Sequence, residues 1–115
     1  MIVLKSDQLN VEFQTLGGAL SSIKDKDDVE YLWQGDPTYW SGQAPVLFPI
    51  CGSVRNDSVL YDKEDGSQKE GKIPRHGLVR KKEFTLVEQT DNSVSFAIED
   101  DEEMYVNYPY HFRLE

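Results

Sequence analysis

Residues 82–99 read KEFTLVEQTDNSVSFAIE. In the second half, Val94, Phe96 and Ile98 alternate with Ser95, Ala97 and Glu99. In the first half, Phe84 and Leu86 alternate with Glu83 and Thr85. A period of two belongs to a strand with one buried face, because successive side chains point to opposite sides of the pleat. Between the halves lies QTDNS, whose short polar side chains hydrogen-bond their own backbone and favour a turn. The stretch therefore predicts an antiparallel hairpin over 82–99.

The same period recurs elsewhere. In QLNVEFQ, Leu9, Val11 and Phe13 alternate with Asn10, Glu12 and Gln14. TLGGALSSIKDKDDVEYLW predicts a second hairpin: a Gly17-Gly18 lead-in, a strand, an Asp-Lys turn and a return strand VEYLW. No segment carries a capped helical stripe; DEEMYVN, residues 101–107, is long enough for about one turn of helix. The prediction is an all-β fold of meandering hairpins.

Two stretches depart from the alternation. Residues 35–57, GDPTYWSGQAPVLFPICGSVRND, hold three prolines and three glycines among large apolar groups. Pro45 and Pro49 bracket VLF, which argues against a central strand and for an apolar loop anchored in the core. YDKEDGSQKEGK, residues 61–72, is polar and reads as a mobile excursion. At the other end, YHFRLE starts a new alternation with no turn or partner strand after it. The expectation is that the chain is the N-terminal part of a longer domain, with Leu114-Glu115 open to being a cloning scar.

The chain has 115 residues and a formal net charge of −9 from 12 basic and 21 acidic residues. An acidic surface repels phosphate backbones and anionic lipid, so nucleic acid and membrane are not expected partners. The N-terminus MIVLKSDQLN lacks the charged start and long apolar region of a secretion signal. With Cys51 as the one cysteine, a reduced, cytoplasmic setting is expected. Cys51, flanked by Ile50 and Gly52, reads as a small buried apolar residue.

Against that acidity, KIPRHGLVRKK, residues 72–82, packs five Lys or Arg into eleven positions. Pro74 stiffens the approach to His76, and Gly77 lets the backbone take an unusual conformation or come close to a ligand. An imidazole with Arg80 nearby suits hydroxyls, carboxylates or phosphates. The alternative is a solvated loop whose histidine packs on Val79 or caps a carbonyl. Gly52 and Ser53 form a turn able to present Arg55 and Asn56, a donor fork and an amide suited to sugar hydroxyls, or else a solvated Arg and a turn cap. Only His76 and His111 are available as imidazole ligands, without ligand spacing, so no metal site is expected. There is no phosphate loop or dinucleotide fingerprint.

Taken in order, GGALSSIKDKDDVEYLWQGDPTYW, APVLFPICG, IPRHGLVRKKEF and YPYHFRLE resemble the aldose 1-epimerase (galactose mutarotase) family, and most of all its LacX-like bacterial branch. LFPICG and PRHGLVR in series carry the specificity. The resemblance implies an antiparallel β-sandwich of the galactose mutarotase-like type, of which residues 1–115 would be the N-terminal part. It implies an isomerase of aldose anomers. A carboxylate takes the proton of the anomeric hydroxyl, a histidine protonates the ring oxygen, and the opened sugar closes on its other face without a cofactor. It makes His76 a sugar contact that orients substrate, with Arg80 closing that block and Asn56 matching a frequent Asn of the turn. The family pattern has Arg directly after the glycine of the LFP block; here Ser53 stands there and Arg55 follows two residues later. The general acid and general base are expected beyond residue 115. A non-catalytic sugar-binding module and a β-rich interaction domain are the alternatives. The run Arg80, Lys81, Lys82 would also suit a phosphorylated aldose.

Overall fold

A computed structural model describes residues 2–115. The chain forms three antiparallel sheets. β1 (Ile2–Lys5), β2 (Leu9–Gln14) and β3 (Ala19–Asp25) make the first, in that order. β4 (Ser58–Asp62) and β5 (Gln68–Lys72) pair as a two-stranded ribbon. β6 (Thr85–Gln89), β7 (Val94–Glu99) and β8 (Arg113–Leu114) make the third, with α1 (Glu102–Asn107) between β7 and β8. The all-β, antiparallel reading holds, as do the hairpin over 82–99, the β2 strand and the single helical turn.

The glycine lead-in works as expected. Gly17 and Gly18 have φ of 75° and 56°, the left-handed region that glycine enters without a Cβ clash. The turn they make joins β2 to β3 and is tied to the middle of the chain by the Gly17 N–H donating to the Lys82 carbonyl at 2.7 Å.

VEYLW turns back beside β3 but forms one antiparallel bridge, Glu30 opposite Lys24, and no strand: the Asp25 N–H donates to the Val29 carbonyl at 3.2 Å and the Tyr31 N–H to the Ile23 carbonyl at 2.8 Å. The Glu30 carboxylate accepts from the Ile23 N–H at 2.8 Å, the Leu32 N–H at 2.9 Å and the Ser22 hydroxyl, and so takes the Ile23 N–H that a ladder would direct to Tyr31. Residues 61–72 are no mobile excursion either. Most of the segment is ribbon, turned by Asp65-Gly66 with Gly66 at φ 82°, and the Lys63 N–H donates to the Ser67 carbonyl at 2.8 Å. Asp-Gly is a strong hairpin signal, and polarity masked it because both faces of the ribbon tip are solvated. YHFRLE does have a partner: Leu114 pairs with Ile98 and Arg113 with Glu99. Cys51 is exposed, not buried, because the turn through Gly52, at φ 83°, carries it outward.

The core is small. Val79, Phe84, Ile98 and Met104 are buried together, with Phe48, Phe96 and Phe112 among the residues packed on them. Val46 and Phe48 anchor the proline-rich loop there, as its apolar run implied. The molecule measures 59 × 34 × 16 Å, and its radius of gyration is 17.4 Å. A compact domain of this length would have about 13 Å. So thin a body leaves parts of the predicted buried faces open: Leu9 and Leu86 are exposed despite their inward phase in the alternation. No described helix is long and apolar enough to cross a membrane.

Candidate functional site

The site forms where the proline-rich loop meets the basic loop. Phe48 and Gly77 bridge in parallel, and the Leu78 N–H donates to the Phe48 carbonyl at 2.7 Å. The approach is so close that a Cβ at Gly77 would run into that carbonyl, and Gly77 has φ 86°. Only glycine satisfies both conditions. The Phe48–Pro49 peptide is cis. Phe48 is held from behind by Phe112, with ring centroids 4.8 Å apart, and by Tyr108 edge-on at 6.0 Å. Tyr108 and Tyr110 in turn pack on Tyr61 of β4. Many of the chain's tyrosines thus serve as struts behind the loops.

His76 is fixed by one residue across the junction. Its N–H donates to the Gly52 carbonyl at 2.7 Å, and the Gly52 N–H donates to His76 Nδ1 at 2.9 Å. A backbone N–H can donate only to a ring nitrogen with a free lone pair, so Nδ1 carries no proton and the proton of the neutral ring lies on Nε2. Among the described residues the His76 ring donates to no carbonyl; its ring contact is the Gly52 N–H. His76 has φ 68°. A left-handed conformation costs a non-glycine residue about 1 kcal/mol or more, and such residues gather at functional sites.

The turn expected to present Arg55 and Asn56 lies alongside. The Ile73 N–H donates to the Asp57 carbonyl at 2.9 Å, so residues 52–57 and 73–76 run side by side between two hydrogen-bonded ends. Asn56 and Asp57 have φ of 57° and 51°. Three of the four non-glycine residues with positive φ among the described residues, Asn56, Asp57 and His76, therefore fall in this junction. Arg55 and Asn56 are exposed on it, and Ser53 is exposed beside Gly52.

Arg80 lines a cavity of about 300 Å³ with Arg75, Lys81, Lys82 and Met104, and His76 is not among its lining residues. Lys82 pairs with Glu103 at 2.6 Å and Asp101 at 3.3 Å, and the Glu103 hydrogen bond holds its ammonium above the ordinary lysine range. The Asp101 carboxyl is held below its ordinary value, first by the Met104 N–H and then by Lys82. Among the described residues no three His, Cys, Asp or Glu side chains gather as metal ligands. The one site residue that sequence reasoning passed over is Gly52. In sequence it reads only as a turn former, because its hydrogen bonds with His76 reach across 24 residues.

A galactose mutarotase related enzyme from Lactobacillus acidophilus superposes with a TM-score of 0.90 at 31% identity, over 97% of this chain and 36% of its own. A galactose mutarotase-like protein from Lactobacillus casei superposes with a TM-score of 0.86 at 27% identity, over 98% of this chain and 37% of its own. The protein LacX (chromosomal) of Lactococcus lactis is 59% identical over 113 residues, 98% of this chain and 38% of that relative. The chain therefore spans a little over a third of the length of the relatives it matches. Its β architecture is that of the galactose mutarotase-like fold, present as a partial segment. A model of the aldose 1-epimerase family matches residues 1–115 from end to end, and this chain belongs to that family.

Proposed function

We propose that this chain supplies the sugar-orienting part of an isomerase that interconverts the α and β anomers of an aldose. One observation carries the reading. His76 has its Nδ1 occupied by the Gly52 N–H, which leaves Nε2–H as its free donor, aimed by a strained backbone. A donor fixed in this way suits a sugar oxygen and loses little freedom when it binds. Arg55 and Asn56 on the neighbouring turn, and Arg80 further along the same loop as His76, are the other proposed substrate contacts. His76 orients; it is not the proton donor of the reaction.

Ring opening needs an acid for the ring oxygen and a base for the anomeric hydroxyl. Among the described residues no carboxylate hydrogen-bonds to His76. We assign both proton-transfer groups to the share of the relatives' length that this chain does not span, and we read residues 1–115 as the N-terminal part of one sandwich domain, in a cytoplasmic setting. Proton transfer alone accomplishes the reaction, so the proposal includes no cofactor.

Polarimetry on freshly dissolved galactose tests this. The 115-residue chain is expected to leave the spontaneous rate unchanged, and a chain extended to the relatives' full length is expected to accelerate it. His76→Ala in the extended chain should lower kcat/KM by about a hundredfold, the scale of a lost polar contact to the transition state. An unchanged rate in that variant would remove His76 from the site. Ser53 stands where the family pattern has Arg, which favours a second reading, a sugar-binding module without turnover. That reading predicts sugar-dependent tryptophan fluorescence in the extended chain with no acceleration of anomer exchange.

A further inference from the structure

We propose that Asn107, the last residue of α1, is a positioning residue for His76, because its side chain holds the strand that leads into the histidine. The inference rests on the reading of His76 as the sugar-orienting contact. The Lys72 N–H donates to Asn107 Oδ1 at 2.9 Å, across 35 residues of sequence. A backbone N–H only donates, so the amide turns its oxygen toward it. The contact is closely built. Gly71 is buried, and a Cβ there would run into the Asn107 carbonyl. The end of α1 reaches β5 because residue 71 is glycine.

His76 needs such support. Its φ of 68° is strained, and a strained backbone persists only where its surroundings over-determine it. The constraints follow one another along the chain. Asn107 holds Lys72, the Asp57 carbonyl holds the N–H of buried Ile73 at 2.9 Å, and the ring of Pro74 fixes its own φ. Gly52 then holds His76 itself. Among the described residues Asn107 supplies the one side-chain acceptor for a backbone N–H of residues 72–78. A substitution there removes a constraint on His76 without touching the backbone bonds.

α1 is able to bear this load because it is fixed along the same stretch. At its start, Asp101 and Glu103 pair with Lys82. In its middle, Met104 is buried in the core cluster that contains Val79. At its end, Asn107 holds Lys72. A helix of six residues is about 9 Å long, so α1 braces the two ends of residues 72–82 at a set separation. Loss of the Asn107 oxygen frees the Lys72 end while Lys82 stays paired. His76 lies four residues from the freed end and feels the change through the backbone.

Spectra of the ¹⁵N-labelled protein test the coupling without any sugar. Asn107→Ala should shift the His76 ring nitrogens and the Gly52 amide. It should also speed hydrogen exchange of the Gly52 amide about fivefold, the scale of one lost hydrogen bond. The amides of β7 should keep their protection, which separates the effect from a general loss of stability. Asn107→Asp keeps an acceptor in place and should restore the His76 and Gly52 signals. Asn107→Gln keeps the amide but carries its oxygen one carbon further, and should reproduce the alanine effect with the fold intact. Unchanged His76 and Gly52 signals in the Ala and Gln variants overturn the proposal, as does an equal loss of protection throughout β7. In the chain extended to the relatives' length, Asn107→Ala should lower kcat/KM for galactose about fivefold, with Asn107→Asp near the parent. An unchanged kcat/KM in Asn107→Ala, where His76→Ala lowers it, overturns the positioning role. If His76→Ala itself leaves the rate unchanged, the sugar reading fails, and the spectra alone decide whether Asn107 sets His76.

Discussion

Gly52 and His76 hold each other by two reciprocal hydrogen bonds across 24 residues of sequence, backbone to backbone at 2.7 Å and backbone to ring at 2.9 Å. The second bond is possible for one protonation pattern of the ring. In the neutral imidazole, long-range ¹H–¹⁵N spectra should show an unprotonated Nδ1 and a protonated Nε2 for His76. An Nδ1–H tautomer would mean that the Gly52 amide does not set the ring, and the free Nε2–H donor would be lost with it.

Gly77 and Gly66 have nearly the same backbone conformation, φ 86° and 82°, but different surroundings. A Cβ at Gly66 meets nothing within 4 Å, whereas one at Gly77 meets the Phe48 carbonyl. Gly66→Ala should cost about 1 kcal/mol, from the left-handed conformation alone. Gly77→Ala should cost at least about 3 kcal/mol, because the two loops must part. Urea denaturation of both variants measures the difference, and equal costs would show that the Phe48–Gly77 contact does not constrain the junction.

Asp101 caps α1 by accepting the Met104 N–H at 2.7 Å, and it also pairs with Lys82. Its carboxyl is held below its ordinary value, so the folded state prefers the ionised form. That contribution is complete above the unfolded carboxylate pKa of about 3.9 and disappears as pH falls through the lowered folded value. Asp101→Ala should cost up to about 1 kcal/mol near neutral pH and progressively less below about pH 4. Chemical denaturation at both pH values checks it, and a cost independent of pH would remove the carboxylate from the account.

Much of the fold was legible in local pattern. Val94, Phe96 and Ile98 marked a strand because the pleat repeats every two residues. Pro45 and Pro49 marked an anchored loop because proline cannot donate to a ladder. The errors share a cause. Asp65-Gly66 was a turn, but a ribbon with solvated faces lacks the apolar alternation that reveals strands. VEYLW had suitable residues, yet the Glu30 side chain took the Ile23 N–H that further strand pairing required, and side-chain capture of a backbone is invisible in periodicity. Of the candidate site, His76 stood out by residue type and by its neighbours Pro74 and Gly77. Gly52 did not, because a hydrogen bond from one loop to another depends on how the two are packed.

The sequence by itself determined the β class, the order of the family's blocks and the concentration of cations in an acidic chain, since all of these are carried by neighbours along the chain. Only the tertiary structure decided that His76 is held by Gly52 and that Arg80 lines a cavity that does not include His76. Both depend on non-local contacts: the Phe48 loop pressed against Gly77, and α1 laid beside residues 72–82. Which side of a loop a residue faces is settled by such packing.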